Sequence, residues 1–248
     1  MGVFETVLVV DGRPVELDRH LARLRGSLDE IYGADPPAEA REELIAAADG
    51  ISLGRLRLTV APREDRLRHD LLAGGVVPEA VFPAHGARLQ SHQVKGGHGS
   101  HKWVDRRGME HPDDGAGQLI CDGDELLEAG WANLFAVREE TLWTPPLDGR
   151  ILAGTARAAI LEIAGDEGIE AQERPIRAQD LLAAEETFLT NSVRGVEPAT
   201  ALDDAPLSGS GPLSRRLADA LRRRWGLPRD SDVPRAAATA PRADQLSH

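Results

Sequence analysis

Residues 97–107 read Gly-His-Gly-Ser-His-Lys-Trp-Val-Asp-Arg-Arg, and they contain Lys102, one of only two lysines in the chain. The chain carries 29 basic residues, and all of them except Lys95 and Lys102 are arginine. A guanidinium stays protonated at any accessible pH, whereas an amine can lose its proton and attack a carbonyl carbon. Lys102 is therefore a candidate catalytic residue, and the competing interpretation is an ordinary solvated lysine.

The histidines around Lys102 do not indicate a metal site. His92, His98 and His101 lie close to the two lysines, but neither a cysteine nor a carboxylate stands at metal-ligand spacing from them. We therefore expect histidines in a glycine-rich loop and no bound metal.

Composition and charge argue against several classes of function. The 248 residues are 41% hydrophobic and 28% charged, as in a soluble globular protein with a real core. The net charge of −12 disfavours nucleic acid as a partner. No run approaches the ~20 apolar residues of a membrane span, and the N-terminus has no signal pattern. The single cysteine, Cys121, lies in an apolar run, which favours a buried structural thiol and a cytoplasmic protein.

Hydrophobic periodicity predicts alternating strands and helices. Residues 3–10 are rich in apolar and β-branched side chains and predict a strand. From Asp18 onward, apolar residues recur at three- and four-residue spacing, which predicts a helix with one face toward a core. Residues 156–167 predict another helix, and residues 169–176 predict one continuous strand after it.

A looser segment at residues 78–86 indicates a boundary between two domains. We expect a small N-terminal domain over residues 1–83 and a larger domain over residues 84–228. Residues 229–248 are rich in Pro, Ala, Arg and Asp and lack periodicity, so we expect a disordered tail there.

Three polar features downstream of Lys102 stand at strand ends or at the start of a helix. Glu128 supplies a carboxylate. Gly154-Thr155-Ala156 opens a helix, whose backbone N–H groups and dipole form a seat for an anion. Asn191 and Ser192 follow an apolar strand and offer amide and hydroxyl groups. An amine, a carboxylate and a phosphate seat together are what pyridoxal 5′-phosphate requires.

The chain resembles the class IV aminotransferases, the fold-type-IV pyridoxal-phosphate enzymes, in six segments that occur in the family's order. The segments are Val-Phe-Glu-Thr at 3–6, His-Leu-Ala-Arg-Leu at 20–24, His-Lys at 101–102, Glu-Ala-Gly-Trp-Ala-Asn-Leu-Phe at 128–135, Thr-Pro-Pro through Arg at 144–157, and Phe-Leu-Thr-Asn-Ser-Val-Arg-Gly-Val-Glu-Pro at 188–198. Each segment is weak alone, but six in order across nearly the whole chain are specific. The family includes branched-chain aminotransferase, D-amino-acid aminotransferase and aminodeoxychorismate lyase.

The resemblance implies which residues contact the cofactor ring. Lys102 would be the Schiff-base lysine and would shuttle the proton on the face of the cofactor. Glu128 would pair with the pyridine nitrogen and keep it protonated, so that the ring can accept electrons. Leu152 would pack on the ring.

The resemblance also implies a phosphate site. Arg23 would reach the phosphate, the backbone amides of Thr155 and Ala156 would bind it, and Asn191 and Ser192 would form its other side. Many family members have Thr where Ala156 stands, so one hydroxyl contact is missing here. A hydrogen bond to a charged acceptor is worth roughly 1.5–3 kcal/mol, so we expect weaker cofactor binding.

The fold implied by the resemblance is α+β, as in D-amino-acid aminotransferase. It has a small α/β domain and a larger β-barrel-like domain with helices, and the cofactor lies between them. The family is dimeric, so we expect a homodimer that acts on a small-molecule substrate, with neither nucleic acid nor membrane as a partner. The family usually has an N-terminal hairpin before the Phe-Glu-Thr strand, and this sequence starts at that strand, so we expect either a branch of the family with a short start or a misplaced start codon.

Three functions are compatible with the sequence. The first is an aminodeoxychorismate lyase, which eliminates pyruvate from 4-amino-4-deoxychorismate to give 4-aminobenzoate. The run from Lys102 to Arg106 is similar to the Lys-x-x-Asn-Arg of lyases, with Asp105 in place of Asn. The second is an aminotransferase for branched-chain or D-amino acids. The third is a degenerate scaffold without catalysis, against which the presence of both Lys102 and Glu128 argues.

Overall fold

The computed structural model describes residues 1–64, 66–105 and 115–228. Within these ranges the chain forms a four-stranded sheet, a ten-stranded sheet and helices that pack on them. None of these helices combines the length and the apolar surface that a membrane crossing requires. The predicted tail at residues 229–248 lies outside the described residues.

The N-terminal part of the chain forms the smaller sheet and two helices. Its elements in chain order are β1 (Val3–Val10), β2 (Arg13–Pro14), α1 (Leu17–Tyr32), α2 (Ala40–Ala48), β3 (Leu53–Arg63) and β4 (Arg66–Gly75). The strands lie in the order β2-β1-β3-β4, and all neighbours are antiparallel. The strand predicted at residues 3–10 is therefore confirmed over its whole length.

Strand β1 is buried on both faces, which explains its nearly continuous apolar sequence. Val7 and Val9 pack with Leu24 of α1 in the core of the small sheet. Leu8 and Val10 belong to a second core, which the helices of the larger sheet share. Full burial of such side chains stabilises the fold by about 1.5–3 kcal/mol each. This strand therefore joins the two parts of the molecule.

The rest of the described chain forms the larger sheet with three helices. Its elements in chain order are β5 (Ala87–Gln93), β6 (Ala116–Asp122), β7 (Glu125–Ala129), β8 (Ala132–Arg138), β9 (Thr141–Thr144), α3 (Thr155–Asp166), β10 (Ala171–Glu173), β11 (Ile176–Arg177), α4 (Ala178–Leu182), β12 (Glu186–Asn191), β13 (Gly195–Leu202), β14 (Ala205–Pro206) and α5 (Pro212–Trp225). Six strands close into a barrel in the order β5-β6-β7-β8-β12-β13, because β13 pairs with β5 and β7 pairs with β8. The predicted α+β fold with a barrel-like larger domain is confirmed.

Successive side chains of the barrel strands point to opposite faces and pack into two different cores. On β12, Leu189 belongs to a cluster with Leu89, Leu119 and Leu134, which come from other barrel strands and fill its interior. The preceding Phe188 lies on the outer face, where it packs with α3 and α5. Its ring stacks on another phenylalanine of that face, with the ring centroids 5.1 Å apart. The barrel therefore has one apolar core inside and another on its outer face against α3 and α5.

The segment at residues 169–176 differs from the prediction of one continuous strand. The structure has two short strands instead, with β10 paired to β9 and β11 paired to β7. Pro175 lies between them and has no N–H to donate to a strand ladder. The chain therefore leaves one end of the ten-stranded sheet here and joins the other end.

The predicted domain boundary falls in the connection between the two sheets. Residues 76–86 link β4 to β5 and include a 3-10 turn at Pro78–Ala80. Trp103 lies beyond that boundary in sequence, yet it forms an isolated bridge with Val3 and packs against the small-sheet core. The division after residue 83 stays a prediction.

Candidate active site

All eight candidate residues line one pocket between the small sheet and the barrel. In this inner pocket, the space between the lining atoms, including the part that is open to solvent, is about 360 Å³. The candidates that line it are Arg23, Lys102, Glu128, Leu152, Thr155, Ala156, Asn191 and Ser192. They come from α1, from the segment after β5, from β7, from the connection before α3 and the start of that helix, and from the end of β12 and the residue after it. Only the folded chain brings them together.

The first strand of the chain holds Lys102 in position. The N–H of Phe4 donates to the carbonyl oxygen of Lys102 at 2.9 Å, and the N–H of Val104 donates to that of Gly2 at 2.8 Å. The Lys102 Nζ lies 4.8 Å from the centre of the Phe4 ring. The segment that leads to Lys102 passes close to Arg150 at Gly97. The φ of Gly97 is +67°, and a Cβ there would lie 2.2 Å from the Arg150 carbonyl oxygen. The backbone on which Lys102 stands is thus held by hydrogen bonds to the start of the chain.

A buried amide orients the carboxylate of Glu128. Glu128 and Asn133 are direct partners across the β7–β8 hairpin, and the Asn133 Nδ2 donates to the Glu128 Oε2 at 3.3 Å. The same nitrogen donates to the Leu152 carbonyl oxygen at 2.9 Å, and the Leu152 N–H donates to the Glu128 Oε2 at 3.2 Å. These contacts fix the carboxylate in one direction at the wall of the inner pocket.

The N-terminus of α3 offers hydrogen-bond donors to the inner pocket. The first helical hydrogen bond runs from the Ala158 N–H to the Gly154 carbonyl oxygen, so the N–H groups of Thr155 and Ala156 have no partner within the helix. Gly154 is required, because a Cβ there would lie 1.9 Å from the Asn133 side-chain oxygen. Donors and helix dipole together favour an anion at this point.

Arg23 lies at the edge of the inner pocket in an ion pair with the buried Glu5. Its Nε and Nη2 donate to the two oxygens of Glu5 at 2.8 Å and 2.6 Å, and its Nη1 donates to the Ala153 carbonyl oxygen at 2.9 Å. Burial raises the pKa of Glu5, but the charge of Arg23 and hydrogen bonds from Arg23 and His20 outweigh it and hold that pKa well below its usual range. Glu5 is therefore ionised and fixes the guanidinium beside α3.

The turn after β12 closes the opposite wall. The Asn191 side chain accepts hydrogen bonds from the N–H groups of Val193 and Arg194 and donates to the Trp131 carbonyl oxygen at 2.6 Å. The Ser192 hydroxyl donates to the Thr6 carbonyl oxygen of β1 at 3.0 Å. Both side chains therefore shape the turn and tie the barrel to the small sheet.

A second cavity adjoins the inner pocket on the far side of Lys102. This outer chamber is a wide cleft of about 1400 Å³, including the part that is open to solvent, and it shares Lys102, Trp131, Asn191 and Ser192 with the inner pocket. Among the described residues, every ionisable side chain that lines it is basic, namely Arg55, Arg57, Lys102 and Arg194. Arg194 forms a salt bridge with Glu197 at 2.6 Å, and Arg55 and Arg57 lie on β3 at the wall of the chamber.

Sequence analysis did not identify several residues of the site. Asn133 acts through its position across a hairpin from Glu128, and Glu5 and His20 are hidden in segments whose periodicity indicates a core. Thr190 also lines the inner pocket. Its Oγ1 is buried and has no hydrogen-bond partner among the described residues. Asn133 and Thr190 lie within the segments 128–135 and 188–198 that resemble the family, and this position was the available signal for both residues.

Two further predictions concern Cys121 and Arg106. Cys121 is buried, and this burial raises the pKa of its thiol, which favours the predicted structural role over a nucleophile. Arg106 lies outside the described residues, so the lyase-like pattern from Lys102 to Arg106 stays a prediction.

Comparison with solved structures relates the fold to two enzymes. The 4-amino-4-deoxychorismate lyase of Pseudomonas aeruginosa is 29% identical to this chain, with a TM-score of 0.74 and coverage of 90% of each chain. The PLP-bound form of a hypothetical aminotransferase from Mycobacterium tuberculosis is 22% identical, with a TM-score of 0.80 and coverage of 90% of this chain and 88% of that one. The second likeness is evidence for the fold alone.

Sequence comparison identifies the family. The D-alanine aminotransferase of Listeria monocytogenes serotype 1/2a (strain 10403S) is 24% identical over 243 residues, which cover 87% of this chain and 84% of that protein. The family model for amino-transferase class IV matches residues 2–79 and 106–202, which is more than half of the chain. The chain is therefore an enzyme that belongs to the class IV aminotransferase family.

Proposed function

We propose that this enzyme is a pyridoxal 5′-phosphate-dependent 4-amino-4-deoxychorismate lyase. The observation that carries the substrate assignment is the basic outer chamber beside Lys102. 4-Amino-4-deoxychorismate carries one carboxylate on its ring and another on its enolpyruvyl group. Arg55 and Arg57 on β3 supply two guanidinium groups, which match carboxylates in charge and in donor geometry. A chamber lined in this way favours a dianion over an apolar substrate.

The inner pocket fits the cofactor in three respects. A buried hydroxyl without a partner costs about 1–3 kcal/mol, and a ligand oxygen or nitrogen would satisfy Thr190. The N–H groups of Thr155 and Ala156 would hold the phosphate, with Arg23 beside them. Glu128 would hold the pyridine nitrogen.

The chain's own residues supply proton transfer and orientation. Bound pyridoxal phosphate contributes a ring that accepts an electron pair. Lys102 borders both the inner pocket and the outer chamber, so it lies between the positions that we propose for the cofactor and the substrate. Lys102 takes the proton from that carbon as a general base, a role that contributes about 10²–10⁴-fold in rate. Asn133 keeps the Glu128 carboxylate aimed into the pocket throughout.

The reaction balances without a further reactant. The carbon that bears the amino group loses its proton, the C–O bond to the enolpyruvyl group breaks, and the ring becomes aromatic 4-aminobenzoate. The departing enolpyruvate accepts one proton and becomes pyruvate. Lys102 carries that proton between the two sites, so no oxidant, reductant or water is consumed.

A D-amino-acid aminotransferase is the second candidate, because a D-alanine aminotransferase matches most of the chain. Its acceptor would be a 2-oxo acid, which also carries carboxylate. Branched-chain substrates fit less well. One guanidinium would bind their carboxylate and the other would face an apolar side chain, at a cost in desolvation.

We also propose the remaining partners and the compartment. The homodimer is implied by the family and is tested by light scattering of the purified protein. A single buried thiol, Cys121, supports a reducing cytoplasm.

The decisive experiment loads purified protein with pyridoxal phosphate and supplies 4-amino-4-deoxychorismate. We expect pyruvate and 4-aminobenzoate in equal amounts, and we expect both to be lost in Lys102→Ala. The matched control is Lys95→Ala, which removes the other lysine, an exposed one. Amino-group transfer from D-alanine or a branched-chain amino acid to a 2-oxo acid, without pyruvate release, would identify the aminotransferase instead. Visible absorbance of bound cofactor that survives in Lys102→Ala but not in Lys95→Ala would refute the assignment of Lys102.

A further inference from the structure

Three buried side chains connect the small sheet to the anion seat of α3. The ring of His20 contacts the Glu5 carboxylate through Nδ1 at 2.6 Å. On its other side, the His20 Nε2 lies 3.4 Å from the hydroxyl oxygen of Thr155, the first residue of α3. All three side chains are at most 5% exposed. A continuous polar path therefore runs from β1 through α1 to the inner pocket.

The position of each proton along this path follows from its partners. Arg23 donates two hydrogen bonds to Glu5, which is therefore ionised and can only accept. The His20 Nδ1 must then carry a hydrogen and donate it to Glu5. Burial lowers the pKa of His20 and outweighs the opposing hydrogen bond and charge of Glu5, so the ring is neutral and its Nε2 is an acceptor. The Thr155 hydroxyl consequently donates to His20.

This arrangement conflicts with the needs of a bound phosphate. Phosphate oxygens accept hydrogen bonds, but the hydroxyl proton of Thr155 points toward His20 and away from them. The neighbouring Ala156 has no hydroxyl to offer. If the Thr155 hydroxyl turned toward a phosphate while His20 stayed neutral, two lone pairs would face each other across 3.4 Å. A proton on the His20 Nε2 removes this conflict.

We propose that His20 is a positioning residue that takes up a proton when a phosphate group binds at α3, so that the Thr155 hydroxyl donates to the phosphate. This proposal rests on the proposed function, because the phosphate is that of the cofactor. In the phosphate-bound protein His20 donates to Glu5 through Nδ1 and to Thr155 through Nε2. The Thr155 side chain thereby supplies the hydroxyl contact that Ala156 cannot make.

The charges around His20 support a change of protonation upon binding. Glu5 on β1 is the negative group in contact with the ring, while Arg23 on α1 and Lys102 after β5 lower its pKa through their charge. Thr155 on α3 is the fourth group that faces it and is neutral. A phosphate would add negative charge beside these groups and raise the pKa of His20. Binding and protonation therefore reinforce each other.

The test uses apoprotein and inorganic phosphate, so that neither activity nor a bond to Lys102 is involved. Nitrogen-15 spectra of labelled histidine report the state of each ring nitrogen, and His20→Asn assigns the His20 signals. We expect the His20 Nε2 to change from acceptor to protonated donor as phosphate saturates the protein. Calorimetry in buffers of different ionisation enthalpy should show greater proton uptake for wild type than for His20→Asn.

Thr155→Val and Thr155→Ser provide a matched pair that leaves His20 in place. Valine has the shape of threonine without the hydroxyl, so we expect about tenfold weaker phosphate binding and loss of the extra proton uptake. Serine restores the hydroxyl and should restore both. A purely structural role of Thr155 would not give this rescue of proton uptake by serine.

The outcomes separate this inference from the proposed function. Phosphate binding with a neutral His20, or with equal proton uptake in wild type and His20→Asn, overturns the inference and leaves the proposed function intact. If pyridoxal phosphate binds to Lys102 and the protonation of His20 does not change, the inference is likewise overturned and the proposed function is intact. Failure of both phosphate and pyridoxal phosphate to bind the wild type overturns the two together.

Discussion

The N–H of Phe4 donates a 2.9 Å hydrogen bond to the carbonyl oxygen of Lys102, so the first strand of the chain holds the candidate catalytic lysine. The same strand carries Glu5, which faces the opposite way and fixes Arg23 at the inner pocket. Successive side chains of a strand point to opposite faces. Phe4 and Glu5 therefore organise the amine side and the anion side of the site from adjacent positions.

The conformation of the segment that leads to Lys102 depends on the absence of a side chain at Gly97. In Gly97→Ala the new Cβ would meet the Arg150 carbonyl oxygen at 2.2 Å, and we expect this overpacking to destabilise the protein by roughly 1–3 kcal/mol. The left-handed backbone conformation costs a non-glycine residue roughly 1–2 kcal/mol in addition. Urea unfolding measures the stability, and borohydride trapping of pyridoxal phosphate measures whether Lys102 still forms a Schiff base.

Gly96→Ala is the matched control for this change. Gly96 also has a positive φ, +76°, but a Cβ there meets nothing within 4 Å. Both variants share the backbone strain, and only Gly97→Ala adds the clash. Equal losses in the two variants would show that the contact with the Arg150 carbonyl oxygen does not control the loop.

Much of the fold follows from local pattern, and the errors have local causes. The strand at residues 3–10 is recognisable because burial on both faces leaves a run that is apolar except at Glu5 and Thr6. The expected strand at residues 169–176 fails because Pro175 interrupts the ladder. Strand β13 was not anticipated, since its sequence Gly-Val-Glu-Pro-Ala-Thr-Ala-Leu contains a buried Glu and a Pro. Its parallel pairing with β5, more than a hundred residues earlier, leaves no mark in periodicity.

Local sequence pattern predicts only part of the candidate site as well. Lys102 and Glu128 were identified from their chemistry and their motifs, and the structure brings them to one pocket. Asn133 was not identified, because its importance arises from cross-strand pairing with Glu128. Glu5 looks like a polar interruption of an apolar strand until α1 places Arg23 and His20 against it. Residues that position other side chains can be identified only when the three-dimensional structure shows which side chains they contact.

The contact between Asn133 and Glu128 predicts a strong response to an isosteric change. Asn133→Asp replaces a donor with a second carboxylate at 3.3 Å from the Glu128 Oε2. Two such buried carboxylates cannot both ionise without penalty, so we expect at least tenfold weaker binding of pyridoxal phosphate, measured by fluorescence titration. Asn133→Ala removes the donor without adding charge and should weaken binding less. Identical affinities for the two variants would mean that charge at Glu128 is unimportant for the cofactor.

The buried ion pair between Glu5 and Arg23 predicts how stability depends on pH. Because the pKa of Glu5 is lowered in the folded state, it contributes stability above its usual value of 4.5 that is lost as the pH falls through the folded value. Glu5→Gln leaves the Arg23 side chain, which is only 10% exposed, without its charged partner, so we expect a loss of about 3–5 kcal/mol at pH 7. Urea unfolding across pH measures this loss, which should shrink below pH 4.5.

The control for Glu5 is Glu43→Gln. Glu43 also contacts a histidine, His69, at 2.7 Å, but its side chain is 42% exposed. An exposed ion pair is worth about 0–1 kcal/mol, so this variant should differ little from wild type at any pH. A pH-independent loss in Glu5→Gln would show that its effect comes from packing and not from charge.

The basic outer chamber predicts a selective loss of substrate affinity in Arg57→Met. Methionine keeps an apolar side chain where the guanidinium packs 3.8 Å from the Phe4 ring centre, but it removes the charge. A hydrogen bond to a charged group is worth about 1.5–3 kcal/mol, so we expect KM for 4-amino-4-deoxychorismate to rise by about 10–100-fold, with a smaller change in kcat. Steady-state kinetics of pyruvate release measures both.

Arg63→Met is the control, because Arg63 lies on the same strand but outside the chamber, in an exposed pair with Asp70. If the two variants raise KM equally, charge in the chamber does not select the substrate, and the preference for a dianion is wrong.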